Sequence, residues 1–165
     1  MAAEDDLRII AGQEAALVFT SLDEDTAFAI GADARDAARR LGRGVAVGVY
    51  LWDRTLFFGT TAGASDANRR WAERKAGLTR LQMKSSYRVV LERGDKPRMM
   101  EPTWAMDIAD YAIAGGAFPL TVKGIGVVGA VSVSGLSERQ DHEVGRAAIC
   151  RALGLDVAKF ALPDA

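Results

Sequence analysis

The chain has 165 residues, 49% hydrophobic and 26% charged, with a formal net charge of −1. That length suits one domain, residues 1–165, burying about 70% of its unfolded surface, and the balance is that of a soluble globular protein. It argues against nucleic-acid binding, which brings a clear basic excess, and against a membrane span, which takes roughly 18 apolar residues. The lone Cys150 excludes an internal disulfide and fits a reducing, cytoplasmic setting, and the acidic start Met-Ala-Ala-Glu-Asp-Asp does not read as a secretory signal.

Residues 4–16 read as a helix, with Leu7, Ile10 and Ala11 on one side and acidic residues opposite. Leu17–Thr20 reads as a short strand, followed by a capping box at Ser21–Glu24 that starts a second helix. Ala27, Ile30, Ala34, Ala37, Ala38 and Leu41 then recur at helical spacing up to Gly42. Val45, Val47, Val49 and Leu51 alternate with Ala46, Gly48, Tyr50 and Trp52, a period-two strand. A turn at Asp53-Arg54 returns the chain as Thr55–Thr60, and the small Ala46 and Gly48 leave room for something to pack close to the sheet.

Ser65 and Asp66 cap a long helix expected to reach about Glu92, with an interruption at Gly77. Arg80, Lys84 and Arg88 lie four apart on one face of it, and a like-charged row is mildly destabilising. Two readings stay open for this basic helix. One is a solvated face, or pairing with the acidic N-terminus of this or a neighbouring subunit; the other is an anion-binding surface. Trp71 sits among these charges, either as a core or interface residue or stacked on a flat ligand.

Arg93–Arg98 is a loop by composition. Met99, Met100 and Met106 flank Pro102 and Trp104; thioethers fill space far more often than they ligate iron. Asp107 is expected to cap a short helix ending near Ala114, with strands following near 117 and 125, joined at Gly124. A second capping box, Ser137–Gln140, starts the last helix, and the tail 155–165 is expected to fray.

No residue set spells out a reaction. Gly124-Ile-Gly-Val-Val-Gly129 matches G-x-G-x-x-G, but it runs into the strand Ala130–Ser134 rather than a helix, so it cannot offer a helix N-terminus to a pyrophosphate. Ile125, Val127, Val131 and Val133 are placed on one face of that strand, with Gly126, Val128, Ala130 and Ser132 on the other. His142 is the one histidine, too few for a zinc site, and no nucleophile–base pair is identifiable around it. It is expected in the first turn of a surface helix, and Cys150 as a small buried hydrophobe.

Three segments together resemble the HbpS/GlcG-like haem-degrading-domain family, in particular its small cytoplasmic branch of unknown function. They are Ala67–Trp71 with Glu73–Lys75, then Lys84–Tyr87, then the run Asp110-Tyr-Ala, Gly115–Pro119, Val122–Gly124, Gly126–Gly129, Val131–Leu136 and Asp141–Glu143. The resemblance spans about Phe19 to Leu153. It implies a profilin-like three-layer α/β/α (α+β) fold with a five-stranded antiparallel sheet, in agreement with the strands counted near 17, 45, 55, 117 and 125. It also implies a homo-oligomer, and in some relatives haem binding or breakdown. Relatives often carry histidine just before the double glycine and before the paired serines, where this chain has Ala114 and Lys84. Alanine cannot ligate iron, and a protonated lysine has no free lone pair.

The sequence therefore points to an oligomeric small-molecule-binding protein, with haem or another anionic molecule as ligand and no metal site of its own. The ligand is placed between the Trp71–Ser86 helix and the Tyr111–Pro119 segment, on Trp71, Arg74, Lys75, Ser85, Ser86, Tyr111, Gly115, Gly116 and Phe118. The alternative is an assembly protein without small-molecule chemistry.

Overall fold

A computed structural model describes residues 2–100 and 105–164. Helices and strands follow one another as α1 (Ala2–Ala16), β1 (Val18–Phe19), α2 (Glu24–Arg39), β2 (Ala46–Leu51), β3 (Arg54–Thr60), α3 (Asp66–Gln82), α4 (Ser86–Arg93), β4 (Ala117–Val122), β5 (Gly126–Ser134) and α5 (Glu138–Ala152). The five strands form one sheet in the order β1-β4-β5-β2-β3. Helices α2 and α5 pack on one face of the sheet and α3 on the other, giving the expected three layers.

The sheet is mixed. β1 runs parallel to β4, while β4–β5, β5–β2 and β2–β3 are antiparallel. The expectation of a wholly antiparallel sheet fails at this two-residue edge strand, which pairs with a β4 distant in the chain instead of through a hairpin.

Alternation sorts the sheet's side chains. Val47, Val49, Val131, Val133, Phe118 and Leu120 join Ala27, Ile30, Ala34, Ala148 and Ile149 in the main core, under α2 and α5. The cross-strand partners Gly48, Ser132 and Ala117 point the other way, toward α3. Bulges interrupt this pattern twice. Register slips between Val49 and Tyr50 and between Leu120 and Thr121, so Leu56 and Val128 turn onto the main core. Val128, not Val127, thus joins the face of Val131, because an unpaired residue in a bulge inverts the alternation beyond it.

Several local expectations change. The cap of α2 is Asp23, whose carboxylate accepts from the Thr26 amide at 2.7 Å, rather than Ser21. Asp23 lies one residue from the helix start, where its charge also meets the helix dipole. The long basic helix is two helices, broken at Met83 in a left-handed conformation (φ 55°) rather than at Gly77. The Asp107 side chain forms only a local turn, accepting from the Ala109 amide at 2.8 Å, so no helix leads to Ala114. The tail is tied down instead of frayed: Gln13 donates to the Phe160 carbonyl, Arg146 to that of Val157, and the Leu162 amide to Glu143. Pro102 and Trp104 lie outside the described residues. The capping box at Ser137 forms as expected, and Ser65, expected as a cap, forms one as well, with Asn68.

Candidate functional site

The α3 side of the sheet is built for close approach. Ala72 and Ala76 of α3 are buried, and Ser132 in β5 donates to the Ala72 carbonyl at 2.7 Å. Gly77 lets a second segment in: a Cβ there would sit 1.9 Å from the Asp110 carbonyl oxygen. Chain 110–114 therefore lies directly along α3, pinned by the Ala112 amide donating to the Arg74 carbonyl at 3.0 Å. Between α3, this segment, residues 98–99 and the start of α5 a cleft opens, with a volume of about 650 Å³, within the range of small-molecule sites.

Trp71 and Arg74 form its mouth. The Arg74 guanidinium stands 4.9 Å from the Trp71 ring centroid, a cation–π contact. Its Nε donates to the carbonyls of Ile108 and Tyr111 at 2.8 and 3.2 Å, and among the described residues it meets no carboxylate. Trp71 is 43% exposed, and Met99 and Ile108 across the opening are 58% and 52% exposed. One wall is closed by Arg98, which donates to both oxygens of Glu138 at 2.6 and 3.2 Å and to the Ile113 carbonyl. Glu138 also accepts from the Gly115 amide at 2.9 Å. Burial works to raise its pKa, but these bonds from Arg98 and Gly115 outweigh it and hold it below the ordinary value.

Lys75 and Asp141 make the floor. Nζ of Lys75 lies 2.9 Å from Asp141 Oδ2 and 3.0 Å from the Val133 carbonyl, and the two side chains are only 5% and 2% exposed. Asp141 Oδ1 accepts from the Leu136 amide at 3.0 Å. Burial pushes the Asp141 carboxyl up, and Lys75 offsets that only in part. Gly116 is the space left for this pair: at φ 137° a side chain would be strained, and its Cβ would meet Val133 O at 2.4 Å and Lys75 Nζ at 2.9 Å.

Of the residues named from sequence, Trp71, Arg74, Lys75 and Tyr111 line the cleft. Gly115 and Gly116 are not on its lining, but the Gly115 amide donates to Glu138, which is. Tyr111 turns its hydroxyl inward, where it accepts from the Met100 amide at 2.9 Å. Ser85, Ser86 and Phe118 are in the interior, away from the lining. Ser86 accepts from the Ala117 amide, and Phe118 belongs to the main core on the opposite face. Arg98, Glu138, Asp141, Met99 and Ile108 join the cleft without having been placed in the site from sequence. Asp141 and Glu138 sit in the first turn of α5 and looked like ordinary helix-start acids; their cationic partners are far off in the chain.

The basic row resolves into pairs. Lys84 meets Glu92, and Arg88 meets Glu92 and Glu14 of the acidic α1. Arg80 lies 5.9 Å over the Trp52 ring. His142 is fully buried rather than on a surface helix. It packs between Tyr87 and Phe118, its Nε2 bonded to Gln13 Oε1 at 2.8 Å. Burial, with Arg146 and Arg139 nearby, lowers its pKa to about 3. Cys150 is buried, as expected. No helix among the described residues is long and apolar enough to cross a membrane, and these residues hold no cluster of metal-ligating side chains.

The sequence profile described as "Haem degrading protein HbpS-like" matches residues 22–150. The chain belongs to this family. It is 48% identical over 153 residues to UPF0303 proteins of Brucella melitensis biotype 2 and Brucella abortus, covering 93% of this chain and 90% of theirs. A double mutant of Streptomyces reticuli HbpS superposes with a TM-score of 0.66 at 26% identity, over 80% of this chain and 87% of that one. Two further structures share the fold: the Ybr137w protein (TM-score 0.79, 23% identity, 88% and 86% covered), and PduOC, solved as a haem complex (0.68, 17%, 83% and 98%). In this chain the cleft wall carries Ala114, while Lys84 lies elsewhere, paired to Glu92.

Proposed function

We propose that this protein is an oligomeric small-molecule-binding protein whose cleft takes a flat, anionic ligand, haem or another carboxylate. The observation that carries this reading is Arg74: a guanidinium beside a half-exposed tryptophan face, at the mouth of a ligand-sized cleft, with its charge unmatched by a carboxylate among the described residues. A flat anion covers Trp71 and supplies the missing charge. Met99 and Ile108 extend the apolar surface opposite. Membership in the HbpS-like family, and a haem complex of a protein with the same fold, support haem.

The residues suit the ring and the carboxylates of haem better than its iron. Arg74 is placed for a propionate and Trp71 for the macrocycle, while no imidazole lines the cleft. Met99 brings a thioether to its lining. When bound, haem supplies redox-active iron; this chain's part is to bind and orient it.

Self-association is part of the same proposal. Edge strand β3 is open on one side, with Phe58 exposed on it and Phe28 exposed next to it on α2. Titration with haemin tests the ligand: a saturable shift of the Soret band, weakened at least tenfold by Arg74→Ala, is expected. Unsaturable binding, or binding indifferent to Arg74→Ala, refutes the haem version. Native mass spectrometry of protein purified from cells tests assembly; a monomer without retained ligand goes against both parts.

A further inference from the structure

The two ends of the cleft ask for different chemistry. At the mouth, Arg74 spends only Nε on backbone carbonyls, leaving both terminal nitrogens without a hydrogen bond among the described residues. A carboxylate fits that fork. On the floor, an ammonium has three donors and accepts nothing. Two of Lys75's three are taken, by Asp141 and Val133, and Lys75 lines the cleft.

Charge decides what the third donor meets. Asp141 already neutralises Lys75 at 2.9 Å, with both groups nearly dry. A second anion there would face Asp141 in a medium where like charges are poorly screened. The whole lining gives the same answer: Arg74, Lys75 and Arg98 stand against Glu138 and Asp141, a net charge of one positive among the described residues. Arg98 is itself occupied by Glu138.

Resting on the reading of the cleft as a ligand site, we infer that its ligand is a monoanion with two unlike ends. A carboxylate is held at the mouth by Arg74, and a neutral carbonyl oxygen on the floor accepts the third N–H of Lys75. The ligand class is a planar oxo-carboxylate, with its flat body against Trp71. Gly116 keeps the floor open, since any side chain there would press on Nζ.

Calorimetric titration of the full chain with three benzoates of one shape tests this. 4-Acetylbenzoate has the carbonyl oxygen, 4-isopropenylbenzoate puts a carbon in its place, and terephthalate puts a second carboxylate there. The first is expected to bind about tenfold more tightly than either of the others, the value of one hydrogen bond to a charged donor. Replacing the floor pair together, Lys75→Met with Asp141→Asn, avoids leaving a lone buried charge and is expected to erase that preference. Equal affinities for the acetyl and isopropenyl compounds, or terephthalate binding as tightly as the acetyl compound, overturn the floor assignment and leave the cleft standing as a ligand site. Absence of saturable binding by all three, or binding unmoved by Arg74→Ala, overturns the cleft reading as well.

Discussion

The two faces of the sheet are made from alternate residues of the same strands, yet they do different work. Beneath α2 and α5, Val47, Val49, Val131, Val133 and Phe118 interdigitate with aliphatic helix positions in the main core. Beneath α3, the same strands offer Gly48, Ala130, Ser132 and Ser134, and the helix meets them with Ala72 and Ala76. Large side chains fill one interface by themselves. Small ones let the second helix sit close and leave the outer space to polar groups and a cleft. Stability is concentrated on the first face and the proposed binding site on the second.

The largest expected effect lies in the first face. Phe118→Ala removes a fully buried ring and should lower the unfolding free energy by about 3–5 kcal/mol in urea denaturation. The folded fraction should keep its ligand affinity, because Phe118 does not line the cleft. A change in affinity would mean that the two faces are coupled.

Asp141→Ala strikes the floor of the second face. Removing one partner of a buried pair strands Lys75, a cost of roughly 3 kcal/mol or somewhat more, and here affinity should fall along with stability. Asp141→Asn keeps an acceptor for Lys75 but not its counter-charge, so it should recover only a small part of the stability.

His142 allows a test by pH. Its pKa falls from 6.5 in the unfolded chain to about 3 in the folded one, so between these values the unfolded state binds the extra proton. Stability from a neutral His142 is therefore complete above pH 6.5 and is lost as pH falls toward 3, at about 1.4 kcal/mol per unit. Between pH 7 and pH 5 the wild type should lose about 2 kcal/mol more than His142→Gln, a difference readable from paired denaturation curves.

The smallest effect on stability, and the sharpest on binding, belongs to Trp71→Ala. The ring is partly in solvent, so the unfolding free energy should move by no more than about 0.5 kcal/mol. Ligand affinity should drop at least tenfold. A large stability loss without a binding loss would make Trp71 a packing residue.

The sequence by itself determined the strands and most of the helices, because alternation, capping boxes and small-residue spacing are local signals that act within one turn or one hairpin. It also separated the G-x-G-x-x-G run from a nucleotide site, since β-branching after Gly129 already identified a strand. Arg74, Trp71 and Tyr111 were legible as site candidates because they cluster with charge or glycine along the chain. The Lys75–Asp141 pair, the Arg98–Glu138 wall and the burial of His142 were not. Their partners lie 66, 40 and 129 residues apart, and a side chain's type does not reveal whether a distant carboxylate or amide will meet it. The parallel edge strand and the two bulges likewise arise from how segments meet. Only the tertiary structure, by bringing α3 onto a face of glycine, alanine and serine, decided that one side of this sheet is a core and the other a cleft.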